Sequence, residues 1–174
     1  MKLIQHYLTN NPCYLAGQKI NIKGIMLHSI GYAVSDAARF LKVWDNPSFD
    51  RACVHCFIDG DTDIIYQTLP WNHRAWHCGS GPNGSANNTH IGIEMCEPPC
   101  IEYSLSCPNI FTSSNPEVSV AAAERTYRTA VELTAMLCSR YHLDPDEDGV
   151  QQGALARVGF AHDGDRNAVF DGVA

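Results

Sequence analysis

The sequence predicts an α/β fold, a central mixed β-sheet flanked by helices, and two observations carry that prediction. Short apolar runs at 20–28, 54–58, 64–69 and 90–95 interleave with helical periods at 36–44 and 116–141. The second and third runs are joined by Asp59-Gly60-Asp61, a tight turn signal that makes them an antiparallel hairpin within the sheet. A chain of 174 residues suits one domain, 1–174, with enough length to bury most of its apolar surface.

Each element has a local reason. Residues 20–28 form an apolar strand that stops on His28, with Ser29 and Gly31 just beyond. Ser35-Asp36 opens a helix whose Ala37, Phe40, Leu41 and Trp44 share one face, and Asn46-Pro47 ends it. Residues 79–89 are rich in Gly, Pro, Asn and Ser and read as a surface loop. The strand 90–95 is broken by Pro98-Pro99. Asn115-Pro116-Glu117 combines an N-cap, a first-turn proline and an acid at the positive end of the helix dipole. That helix is predicted to reach Tyr141, with Ala123, Tyr127, Ala130, Leu133, Leu137 and Tyr141 as its buried stripe.

Composition excludes several functions. The formal net charge is −7 and no basic cluster stands out, so nucleic acid is not an expected partner. No apolar run is long enough to span a bilayer, and no membrane partner is expected. Residues 1–8 are too short and polar for a signal peptide. Synthesis in the cytoplasm is expected, with the protein either staying there or leaving by another route. Eight cysteines in such a chain read as reduced thiols or metal ligands before they read as a disulfide framework.

His28 and Glu94 stand at strand ends beside polar, Gly-containing loops, where open sheets carry clefts. An imidazole there can ligate a metal, and a carboxylate beside it can take a proton from metal-bound water. A satisfied structural histidine and a solvated strand carboxylate are the plain alternatives. A rival metal site would use Cys53, Cys56, Cys96 and Cys100, but the first two lie on an apparent strand, where a zinc knuckle needs a tight turn. Trp71, His73, Trp76 and His77 supply flat rings and hydrogen-bonding groups for a sugar or peptide groove, or else a tryptophan-anchored loop.

Taken together, GIMLHSIG, VHCFIDGDTDIIYQTLPWNHRAWHCG and NNTHIGIEMCEP, in that order and followed by a helix, resemble the zinc-dependent N-acetylmuramoyl-L-alanine amidases of the type-2 amidase family. That family shares a fold with peptidoglycan recognition proteins and phage T7 lysozyme, and Met95-Cys96-Glu97-Pro98 resembles its clostridial and phage endolysin branch. The resemblance covers about residues 20–143. It implies hydrolysis of the amide between N-acetylmuramic acid and L-alanine in bacterial peptidoglycan, by a monomer released to the cell wall in endolysin fashion. It implies Zn2+ with His28 as first ligand and Glu94 as the acid that handles the proton of the attacking water. It places Trp76 and His77 in the substrate groove, with His55 and Asn88 also counted as substrate-binding. Zinc suits an amide, because it polarises the carbonyl and lowers the pKa of bound water from ~15.7 towards ~7.

The tail departs from this pattern. The family's later ligands follow the long helix in a Ser-His segment and a subsequent Asp or Cys, and residues 150–174 contain no such segment. His162 and Asp165 are the ligands the tail can offer, at a closer spacing than the family's. Two readings account for the break: a shifted reading frame, or a divergent relative. The alternative function is therefore a catalytically impaired peptidoglycan-binding module of the same fold with an incomplete zinc site.

Overall fold

The computed structural model describes residues 1–50, 52–82, 84–106 and 110–144. Five strands form one mixed sheet: β1 (Lys2–Gln5), β2 (Gly24–Ser29), β3 (Cys56–Ile58), β4 (Ile64–Gln67) and β5 (His90–Met95), in the spatial order β1-β4-β3-β5-β2. β3 and β4 are the antiparallel hairpin, while β1 on β4, β3 on β5 and β2 on β5 are parallel. A small antiparallel pair, β6 (Ile101–Tyr103) and β7 (Phe111–Ser113), lies apart from this sheet. The helices are α1 (Pro12–Ala16), α2 (Ala37–Trp44) and α3 (Pro116–Tyr141). The predicted fold class is the observed one.

Strand alternation divides the core between the two faces. Ile25, Leu27, Cys56, Ile58, Ile65, Ile91 and Ile93 pack with Ala130, Leu133 and Leu137 of α3. Phe57 points to the other face, where it stacks on Phe40 and meets Trp44 of α2 edge-on. The buried side of α3 differs from the predicted stripe at its first half. Ala122, Thr126 and Thr129 are buried there, while Tyr127 is about half exposed. Thr126 can be buried because its hydroxyl bonds back to the Ala122 and Ala123 carbonyls at 3.1 and 3.2 Å, which spares it an unsatisfied polar group.

The hairpin turn locks the sheet to α2. Asp59 is buried, and its Oδ1 accepts from the Asp61 and Thr62 amides and the Thr62 hydroxyl. Its Oδ2 accepts from the Ala37 amide at 3.0 Å, satisfying one of the orphan donors at the start of α2. Gly60 presses against Ser35, where an added Cβ would come within 3.0 Å of the Ser35 backbone, and its carbonyl takes a bond from Arg125 of α3.

Asp59→Ala removes four acceptor contacts and strands the Ala37 amide in the core. It is expected to cost about 2–3 kcal/mol, read as a lowered urea midpoint.

Candidate functional site

The parallel register of β2 on β5 places His28 beside Glu94, on the sheet face opposite the isoleucines. Gly92 precedes Glu94 by two residues on that same face. An added Cβ at Gly92 would lie 2.4 Å from Cγ of His77, so the missing side chain is the bed for the His77 ring. Asn87 holds His77 there: its Oδ1 accepts from the His77 and Cys78 amides at 2.7 and 3.1 Å, and its Nδ2 donates to the Cys78 carbonyl.

His28 Nε2 meets His77 Nδ1 at 3.0 Å. His77 Nε2 lies 3.3 Å from the His90 carbonyl, which can only accept. The network therefore puts the His77 proton on Nε2 and makes His28 Nε2 the donor in the pair. Burial holds the His77 pKa well below the ordinary histidine range, and the nearby His28 and His55 add to this.

Glu94 Oε2 is buried and has no hydrogen-bond partner among the described residues. Burial, with a smaller push from Glu97, raises its pKa to about 8. A carboxyl poised near neutral pH beside an imidazole pair can both hold and release a proton. Glu97 accepts from the hydroxyls of Ser29 and Tyr103, tying the end of β2 to β6.

The other predicted site residues are placed less uniformly. Trp76 is half exposed, but it faces a separate cleft of about 200 Å3 with Cys13, Phe49 and Arg74. His55, expected to bind substrate, is fully buried: its Nδ1 accepts from the Gly92 amide at 3.0 Å and its Nε2 donates to the His73 carbonyl at 2.8 Å. With both ring nitrogens committed to backbone, it braces the site from inside. Asn88 lies on the surface with Arg74 Nε on its Oδ1, and its neighbour Asn87 does the positioning. His162 and Asp165 lie outside the described residues. Sequence reasoning missed Asn87 and Glu97. An Asn-Asn pair in a loop gives no sign of which member turns inward, and Glu97 is marked only by the family-like run around it.

A catalytic zinc takes three protein ligands and keeps one open position. Among the described residues no three His, Cys, Asp or Glu side chains gather into such a set. The described residues alone therefore do not complete a zinc site. Nor do the cysteines rescue it: Cys56 lies in the α3-side core, Cys96 in the α2-side core, and Cys100 half-buried against Ser119.

The N-acetylmuramoyl-L-alanine amidase family matches residues 18–168, a span that runs past the point where the resemblance of the tail fades and includes His162 and Asp165. The chain is similar to the N-acetylmuramoyl-L-alanine amidase XlyA of Bacillus subtilis (strain 168), 36% identical over 102 residues, which are 56% of this chain and 32% of that protein. The amidase XlyB of the same organism is 47% identical over 72 residues, 41% of this chain and 22% of that one. The matched stretches thus span a third or less of these relatives. Among solved structures, the catalytic domain of XlyA superposes with a TM-score of 0.57 at 27% identity, covering 84% of this chain and 81% of that one. A mutant endolysin from Bacillus subtilis gives 0.56 at 25% identity, covering 90% and 94%.

Gly92→Ala is expected to displace the His77 ring, with a stability loss of about 1–3 kcal/mol and loss of the contact signals between the His28 and His77 rings in NMR spectra. His55 generates a pH dependence. Burial lowers its folded pKa to about 4, from the ~6.5 of an exposed imidazole. Its contribution is complete above the unfolded value and is lost as pH falls towards the folded one. Chemical denaturation is expected to show about 3 kcal/mol draining away across that window.

Proposed function

Because the chain belongs to the N-acetylmuramoyl-L-alanine amidase family, we propose that it hydrolyses the amide joining the lactyl group of N-acetylmuramic acid to L-alanine in bacterial peptidoglycan. The observation that carries this reading is the buried, unpartnered Oε2 of Glu94, a residue set in register with His28. Amide hydrolysis needs a proton taken from the attacking water and one delivered to the departing alanine nitrogen. A single carboxyl that alternates between its two protonation states can do both. In this reading Glu94 moves the proton, and the His28–His77 pair supplies a polar wall beside it. The names of the similar relatives and the endolysin fold support a cell-wall substrate. The chain is proposed to act as a monomer, its amidase-like domain released to the wall in endolysin fashion. No helix among the described residues is long and apolar enough to cross a membrane.

Zinc enters this proposal through His28, with His162 and Asp165 as the ligands the tail would add. The family match spans both tail positions. One observation favours the second reading, a groove that binds muropeptide without cleaving it: the described residues hold no three-donor cluster.

Glu94→Gln is expected to lower hydrolysis of purified sacculi by about 10²–10⁴-fold while sacculus binding is retained. Full activity in that variant overturns the proton-transfer role. Metal analysis of the full chain purified without chelator separates the two readings. Stoichiometric zinc that is lost in His28→Ala supports the enzyme. Metal-free, inactive protein that still sediments with sacculi supports the binding module.

A further inference from the structure

Two thiols lie together at a place the proposed reaction does not use. Cys13 sits in the first turn of α1 and is half-buried, while Cys53 is fully buried just ahead of β3. Cys13 and Tyr14 pack on the small cluster of Cys53, Leu69 and Ala75, which sets the two thiols beside one another, with Cys53 Sγ 3.8 Å from the Val54 carbonyl. No other described cysteines are paired in this way. Cys78 is held by Asn87, Cys100 by Ser119, and Cys56, Cys96 and Cys138 fill the two main cores. The cleft of about 200 Å3 opens onto Cys13, and Arg74, Asp50 and Trp76 stand in its walls.

We propose that Cys13 and Cys53 form a reversible dithiol–disulfide pair, Cys13 as the entering nucleophile and Cys53 as the resolving thiol, whose state is felt at Trp76. The two members are asymmetric in the way such chemistry requires: one thiol reachable from solvent, its partner enclosed behind it. The neighbouring Cys53 thiol pulls the Cys13 thiol below its ordinary pKa, against the opposing effect of burial and with a smaller pull from the charge of Arg74. Burial pushes the Cys53 thiol well above its own.

The exchange partner is a small-molecule disulfide such as glutathione disulfide. Cys13 thiolate attacks one of its sulfurs, forms a mixed disulfide and expels one thiolate, which takes up the proton Cys13 released. Cys53 then loses its proton and attacks Cys13 Sγ, expelling the second thiolate, which is protonated in turn. Two protein thiols are oxidised to one disulfide, and one small disulfide is reduced to two thiols.

The coupling runs through backbone. The Cys53 amide donates to the Trp76 carbonyl and the Trp76 amide donates to the Cys53 carbonyl, both at 2.9 Å. Drawing Cys53 Sγ into a covalent bond with Cys13 moves one side of this two-bond bridge. The Trp76 indole, half exposed in the same cleft, lies on the other side.

The test reads thiols and fluorescence, so it stands or falls apart from any amidase activity. The full chain is equilibrated in glutathione mixtures of rising oxidised share, quenched with acid, alkylated and peptide-mapped by mass spectrometry. The Cys13–Cys53 linked peptide is expected to accumulate before any other disulfide, with both cysteines losing alkylation together. Acrylamide quenching of tryptophan fluorescence is expected to shift in step, and Cys13→Ser is expected to abolish both the linked peptide and the shift. Accumulation of a Cys13–glutathione adduct that never resolves onto Cys53, or prior formation of a different pair, overturns the proposal. A Cys13–Cys53 disulfide that leaves the quenching unchanged overturns the coupling to Trp76.

Discussion

The site depends on the backbone of Gly92 and what two histidines, His55 and His77, do with it. Its amide donates to the His55 ring and its carbonyl accepts from the His55 amide, each at 3.0 Å. Its missing side chain leaves the space where His77 lies. His55 also bonds the His73 carbonyl through Nε2, and its own carbonyl receives the Thr68 and Leu69 amides. One buried residue thus ties β5, through its ring and amide, to the end of β4, through its carbonyl, and to the loop that carries His77. Because that ring is neutral and enclosed, these bonds act in a low-dielectric setting, where a lost partner is costly.

From this brace the chemistry of the open face follows. His77 is fixed over the sheet and takes a bond from His28, and Glu94 completes the face from the neighbouring strand. The face therefore combines a His77 imidazole that resists protonation with a carboxyl that resists ionisation. Both tendencies come mainly from the same burial. An approaching polar substrate meets groups that are desolvated in advance and held in place by backbone contacts.

Much of the fold was legible because its signals are local. Asn115-Pro116-Glu117 marks the start of α3 within a single turn, Asp59-Gly60 marks the hairpin, and the alternation in 90–95 marks β5. β1 escaped notice because Lys2–Gln5 is an almost wholly exposed edge strand, whose partner β4 lies far along the chain. The face of α3 was misjudged where threonines that bond back to their own helix replace apolar residues. In the site, the pairing of His28 with Glu94 could be guessed from strand ends alone. The tasks of His55, Asn87 and Glu97 could not, since each depends on which loop folds over which strand. His55 drew attention as a histidine, a residue type that suggests chemistry, yet its surroundings make it a structural brace.

The most direct test of this account is the hydrogen bond from the Gly92 amide to the His55 ring. In a uniformly 15N-labelled chain at neutral pH, a through-bond nitrogen–nitrogen coupling is predicted between the Gly92 amide and Nδ1 of His55, with the imidazole chemical shifts reporting a proton on Nε2. Absence of that coupling, together with a His55 ring protonated on Nδ1, would contradict the brace on which the arrangement of the site rests.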